Sequence, residues 1–186
     1  MSVRRIHEEY DSTIRWRAFP LHPDIPPSGM DYRAYLGGEA GWQAGAERLG
    51  TMAATLGLPF RMPERKYNSR RADELTAWAL TDFPEEVDAL RTALFHAIWV
   101  DGIDNSDPAV LADVAASVGI PHDRAGKALE ERKGAAEVDV DWQESMARRI
   151  RGVPAVFIGD QEVSGAQPWP VFAEALASAA VTRREA

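Results

Sequence analysis

A proline-headed hairpin near the end of the chain places the strongest limit on the fold. Gly152–Pro154 runs directly into a short apolar segment, Ala155–Ile158. Gly159–Asp160 follows, a pair typical of the tight turn between two antiparallel strands, and Glu162–Ser164 returns. Proline has no backbone N–H and belongs at the start of a strand rather than in its middle. The sequence therefore predicts a β-hairpin that a proline loop opens.

Composition limits the function more than the fold. The chain has 186 residues, a net charge of −8 and no cysteine. A negative surface argues against nucleic acid or an anionic membrane as partner, because phosphate binding needs a basic face. The sequence has neither an apolar run of about 18 residues nor an apolar secretory signal, so we expect no membrane span and a cytoplasmic protein. Without cysteine, the chain cannot form disulfides, bind metal through thiolates or use a thiol nucleophile.

Helical periodicity dominates the middle of the chain, whereas strand patterns are confined to its two ends. Thr13–Phe19 alternates apolar and polar residues and predicts a strand, and a proline-rich loop follows it. Ser69 is a predicted helix cap, and either Asp107 or Ser106 before Pro108 is another. The predicted helices cover residues 2–10, 39–57, 70–83, 85–99 and 139–151, and further helices begin near Pro108, Pro121 and Pro168. Helices inserted between strand units predict an α/β fold with an inserted all-helical subdomain.

Five segments in a shared order resemble one family. They are Trp16–Asp24, Asn68–Ala72, Leu94–Asp107, Gly152–Pro154 and Ser164–Gln167. Together they are similar to DsbA-family thioredoxin-like proteins of the FrnE-like branch, which are related to 2-hydroxychromene-2-carboxylate isomerases and kappa-class glutathione transferases. The resemblance implies a thioredoxin-like domain from residues 1–36 and 148–180, a helical insertion over 37–147 and a frayed tail over 181–186.

The same resemblance exposes a departure at the front of the chain. Relatives open with a buried strand and a Cys-x-x-Cys pair, and this sequence begins inside the helix that would follow them. The family is one of thiol–disulfide oxidoreductases, so we expect the cysteine-free chain to be redox-inactive. Two alternatives stay open: a non-catalytic module that binds peptide or glutathione, and a glutathione-dependent isomerase. The absent strand would lie between Thr13–Phe19 and Ala155–Ile158, so we expect the gap to be closed by these strands or filled by another subunit, as in a homodimer.

The resemblance also implies the binding residues. A cis peptide at Val153–Pro154 would present the backbone N–H and C=O of Val153 to an extended peptide or to glutathione. Ser164, Gly165 and Gln167 resemble the loop that contacts the γ-glutamyl end of glutathione, and Asn68 could hydrogen-bond a ligand. The plain alternatives are a trans proline, an ordinary turn and a helix cap. No cofactor is expected beyond glutathione as a ligand or co-substrate.

The remaining polar candidates predict no metal site. The four histidines are scattered without ligand spacing. Asp101, Asp104 and Asp107 alternate as in a calcium loop, but no glutamate lies at the position that such a loop needs. A solvated loop and a helix cap explain these aspartates better.

Overall fold

The computed structural model describes residues 2–19, 21–26 and 28–184. Pro20 and Pro27, both in the predicted proline-rich loop, lie outside the described residues. The chain divides into two compact units. We call residues 1–21 and 141–186 the hairpin unit and residues 22–140 the helical unit.

In the hairpin unit, helix α1 and a hairpin surround a small apolar core. Helix α1 covers Ser2–Glu9, strands β3 and β4 cover Ala155–Ile158 and Gln161–Ser164, and helix α9 covers Trp169–Ser178. The two strands pair antiparallel around Gly159–Asp160, so the predicted hairpin is confirmed. The core contains Ile6, Ile158, Val163, Phe172, Ala175 and Leu176.

The helical unit is built from short helices and one small ladder. Its elements are β1 (Met30–Asp31), α2 (Tyr32–Tyr35), α3 (Glu39–Thr55), β2 (Arg65–Lys66), α4 (Arg70–Asp82), α5 (Val87–His96), α6 (Pro108–Ala116) and α7 (His122–Glu130). A turn of π-helix, Ala97–Asp101, continues α5. Leu75, Leu90, Leu111 and Leu129, each no more than 1% exposed, anchor the core. No helix in the described part of the chain is long and apolar enough to cross a membrane.

Helix α8, Ala135–Ala147, runs through the boundary at residue 140. It begins and ends four residues earlier than the predicted helix over 139–151. Arg149 takes a positive φ of 57°, and the N–H of Ile150 returns to the carbonyl of Ser145 at 3.0 Å. This left-handed residue stops the helix, so residues 148–151, which we expected to be helical, follow its end.

One carboxylate of the helical unit is buried among arginines. The side chain of Glu74, in α4, is 1% exposed. Arg70 reaches its Oε1 at 2.8 Å, Arg132 contacts the same oxygen, and Arg71 lies 3.4 Å from Oε2. Burial raises the pKa of Glu74, but hydrogen bonds from Arg132 and Arg70 outweigh it and hold the pKa below its ordinary value of 4.5.

The structure corrects the predicted strand at Thr13–Phe19. These residues form no ladder with any strand of the described chain, and Trp16 is 46% exposed. Alternating side chains make a strand only where a neighbour accepts its backbone hydrogen bonds. Strands β3 and β4 pair only with each other among the described residues, so the expected closure onto Thr13–Phe19 is also wrong.

The tail differs from its prediction as well. The N–H of Asp11 donates to the carbonyl of Thr182 at 2.9 Å, and the N–H of Arg184 donates to the carbonyl of Glu9 at 2.8 Å. Arg183 pairs with the Glu9 carboxylate at 2.8 Å. We name these contacts the clasp, formed by residues 9–11 and 182–184. These bonds fix the backbone of residues 182–184, in the segment 181–186 that we expected to fray. Residues 185 and 186 lie outside the described part.

The boundaries of the two units also differ from the predicted domain limits. The units divide after residues 21 and 140, whereas the resemblance implied limits after 36 and 147. The shift has a local cause at the first boundary. Residues 30–31 pair with 65–66, and the Asn68 side chain binds the carbonyls of Pro23 and Ile25. These contacts attach the loop after residue 21 to the helical unit.

Candidate functional site

The peptide bond between Val153 and Pro154 is cis, as we predicted. It lies between the end of α8 and the start of β3, because the turn at Arg149 ends the helix and β3 begins at Ala155. Val153 is 51% exposed, and Pro154 is also exposed. Within the described residues, the backbone N–H and C=O of Val153 have no hydrogen-bond partner. The loop therefore presents one donor and one acceptor to solvent.

Three of the predicted ligand residues form a second loop beside the proline. The N–H of Gly165 donates to the carbonyl of Pro154 at 2.8 Å, which extends the hairpin by one pair. Gly165 has a φ of 77°, a conformation that favours glycine. The Gln167 side-chain amide donates to the carbonyl of Ser164 at 2.8 Å. The structure thus brings Val153, Pro154, Ser164, Gly165 and Gln167 together at one end of the hairpin.

The hairpin register defines a free strand edge that continues from this loop. Ile158 faces Gln161 across a two-residue turn, and Pro154 bonds to Gly165. In an antiparallel pair, alternate residues exchange hydrogen bonds, so Ala155 and Phe157 direct their N–H and C=O groups away from β4. Ala155 and Phe157 are not among the site residues predicted from the sequence. The predicted turn at Gly159–Asp160 was the signal from which they could have been found.

Arg148, near the proline loop, has partners of its own. Arg148 lies 4.8 Å from the ring centroid of Phe157 and pairs with Glu144 at 3.0 Å. Its guanidinium therefore covers one face of β3 without being a vacant anion site. The groups that the loop offers are the backbone N–H and C=O of Val153, which are suited to main-chain hydrogen bonds with a ligand.

Asn68 belongs to the helical unit, and its side chain has internal partners. Its amide donates to the carbonyls of Pro23 at 3.2 Å and Ile25 at 3.1 Å. Its Oδ1 accepts the N–H of Arg70 at 2.9 Å. Asn68, rather than Ser69, therefore caps the start of α4, since Ser69 makes no capping bond to the backbone. Its role toward a ligand stays a prediction.

The aspartates after the π-helix also have local partners. Asp101 lies 3.1 Å from the Nδ1 of His96, Asp104 accepts from Ser106, and Asp107 accepts the N–H of Ala109 at 2.8 Å. Among the described residues, no three histidine, aspartate or glutamate side chains are grouped so that they could hold a metal ion. The Asp107 cap over Pro108 is confirmed.

The chain matches the DSBA-like thioredoxin domain over residues 1–177. It belongs to the DsbA-like thioredoxin family. The family assignment and the thioredoxin-like fold that the five segments predicted are therefore confirmed, while the FrnE-like branch stays a prediction.

Two solved structures show how this family member compares with its relatives. A probable DsbA oxidoreductase from Streptomyces coelicolor is 27% identical, with a TM-score of 0.75 over 88% of this chain and 73% of that one. A 2-hydroxychromene-2-carboxylate isomerase is 20% identical, with a TM-score of 0.71 over 95% of this chain and 85% of that one. The second likeness shows the fold alone. No curated protein matches the chain.

Proposed function

We propose that this DsbA-like chain binds an extended peptide along the proline loop and β3 without exchanging disulfides itself. The observation that supports the proposal is the solvent-facing backbone of Val153 beside cis Pro154. Val153 is followed by the outward N–H and C=O groups of Ala155 and Phe157. A peptide added as a strand would pair with alternate residues of this edge.

Glutathione is the second ligand that we propose for the same loop. It is a short peptide with a free carboxylate and amine at its γ-glutamyl end. Ser164, Gly165 and Gln167 lie beside Pro154, where they could contact that end while Val153 pairs with the cysteinyl part. The likeness in fold to the isomerase supports a glutathione-dependent isomerase only as a further alternative, because at 20% identity it shows the fold alone.

Strand addition predicts which backbone amides respond to ligand. We expect an extended peptide or glutathione to shift the NMR amide resonances of Val153, Ala155 and Phe157. Glu162, whose amide points to the opposite edge of the hairpin and which is not a proposed ligand residue, is the internal control. Equal shifts at both edges, or none at the β3 edge with either ligand, contradict the proposal.

Two substitutions at one position separate backbone from side-chain recognition. Val153→Pro removes the N–H, whereas Val153→Ala keeps it and trims only an exposed side chain. Loss of one hydrogen bond should weaken affinity by about fivefold to tenfold in Val153→Pro and little in Val153→Ala. Circular dichroism would check that both variants fold. Equal affinities of the two variants would show that the Val153 N–H is not used.

The redox part of the proposal has its own control. With glutathione or dithiothreitol as the electron source, the chain should not accelerate insulin reduction, because exchange needs a thiolate nucleophile. Reduction above the uncatalysed rate would contradict redox inactivity and leave the binding result to stand separately.

We also propose that a second copy can occupy the β3 edge. Of the two expected partners for β3, the segment Thr13–Phe19 does not pair with it among the described residues. Another subunit is the partner that we still propose. An unpaired edge is a template for another strand. Peptide and second copy would then compete for the same backbone groups.

A further inference from the structure

Lys66, in the helical unit, lies among aromatic side chains and is not part of the proline loop. Strand β2 places it opposite Met30 of β1, directly before α2. The N–H of Tyr32 donates to the carbonyl of Glu64 at 2.8 Å and holds the start of α2 against β2. Tyr32 and Tyr35, one helical turn apart, therefore both face the lysine.

The Lys66 ammonium is held by rings and a phenol rather than by a carboxylate. Its Nζ lies 3.3 Å from the Tyr32 hydroxyl, 4.8 Å from the Tyr32 ring centroid and 4.9 Å from the Tyr35 ring centroid. No carboxylate of the described residues pairs with it. Burial lowers the pKa of Lys66 to about 8, so more of this amine is neutral near physiological pH than of an exposed lysine.

Two further groups complete the cluster. The Tyr35 hydroxyl lies 2.9 Å from Nδ1 of His22, and the two rings meet edge to face at 5.1 Å. Burial, followed by the charge of Lys66, lowers the pKa of His22 below its ordinary value of 6.5, which favours the neutral ring. Burial, followed by Tyr35, raises the pKa of Tyr32 above its ordinary value of 10, so the resting phenol carries the proton that the reaction needs.

We propose that Lys66 is a carbonyl-reactive amine that condenses reversibly with small apolar aldehydes. A desolvated lysine without an ion-pair partner is a nucleophile, and the two tyrosine faces suit an apolar substituent. The neighbouring arginines are engaged: Arg65 donates to the carbonyl of Ser28 at 2.8 Å, and Arg33 pairs with Glu39 at 2.7 Å. This favours a neutral aldehyde over an oxo acid.

The chemistry needs only the amine and one proton donor. The lone pair of neutral Lys66 attacks the carbonyl carbon, the C=O π pair moves to oxygen, and an amine proton follows it to give a carbinolamine. Tyr32 donates its phenolic proton to the departing hydroxyl, and the remaining N–H proton returns to Tyr32. One aldehyde and one amine thus give one imine and one water. Tyr35 is a positioning residue, which His22 orients by its hydrogen bond.

The test uses propanal as the probe and sodium cyanoborohydride to reduce any imine to a stable propyl amine. The chain has three lysines, and Lys127 and Lys133 serve as controls because both are exposed and contact Glu131. At about pH 7.5, we expect propylation at Lys66 to be at least about tenfold faster than at either control, because of its lower pKa. Peptide mapping by mass spectrometry separates the lysines from the α-amino group.

Two variants test the assignment. Lys66→Arg keeps a cation between the rings and should fold, but it should lose the adduct at this position. Tyr32→Phe should slow adduct formation and leave the pH of half-maximal rate near that of the intact protein. Propylation of Lys66 no faster than that of Lys127 and Lys133, in folded protein, would overturn the proposal. Because the cluster lies in the helical unit, neither outcome bears on binding at Val153.

Discussion

Glu74 shows what a single buried charge contributes to this molecule. Its carboxylate has three arginine neighbours within ion-pair distance, and removing one partner of a buried pair leaves the other charges uncompensated. Because the arginine side chains are 22–47% exposed, water can solvate them, and we expect Glu74→Gln to lower the free energy of unfolding by about 1–3 kcal/mol at neutral pH. Urea denaturation measures the change, with the exposed Glu130→Gln as the matched control, expected within about 0.5 kcal/mol of the intact protein.

The pH dependence of this effect follows from the lowered pKa of Glu74. A carboxylate whose folded pKa lies below its unfolded value adds stability that is fully present above about pH 4.5. That stability disappears as pH falls through the folded pKa. The difference between the intact protein and Glu74→Gln should accordingly shrink in acid. A difference that stays constant from pH 7 to acid would assign the effect to packing instead of charge.

At the scale of elements, α6 depends on its cap. Asp107 has an extended backbone, and its carboxylate accepts the N–H of Ala109 at 2.8 Å, while Pro108 occupies the first turn. Asp107→Ala should lower the free energy of unfolding by about 1 kcal/mol, and Asp107→Asn by only a few tenths, because asparagine also caps. Thermal or urea unfolding distinguishes the two. Equal losses would show that charge at the helix start, and not the capping bond, is what Asp107 supplies.

Elements with local signals were predictable from the sequence, and those built by distant partners were not. Asp107, Pro108 and the helical spacing after them define α6 without help from the rest of the chain. Thr13–Phe19 has the alternation of a strand, but a strand exists only with a neighbour, and no pattern within the segment reports that. The proline loop could be predicted and the Lys66 cluster could not, for the same reason. The proline loop is a continuous motif, whereas the Lys66 cluster depends on the register between Met30 and Lys66.

At the scale of the whole molecule, the free β3 edge predicts concentration-dependent association. Light scattering after gel filtration should show a growing dimer fraction as protein concentration rises, because an unpaired edge gains hydrogen bonds from a second strand. Amide hydrogen exchange should slow at Ala155 and Phe157 over the same range, with Glu162 and Ser164 as controls. A monomer at every concentration, with unchanged exchange at all four amides, would show that copies do not pair there.

The clasp between residues 9–11 and 182–184 makes the intervening chain a closed loop. In polymer terms, the contour between Asp11 and Thr182 is long, yet their backbones are joined by a hydrogen bond of 2.9 Å. Loop-closure entropy rises only slowly with contour length, so a few bonds and the packing of Ile6 can sustain such a ring. A fluorescent donor and an acceptor, placed on either side of the clasp, would lose energy transfer when the clasp opens. The opening of this one junction could then be timed separately from the melting of the helices between.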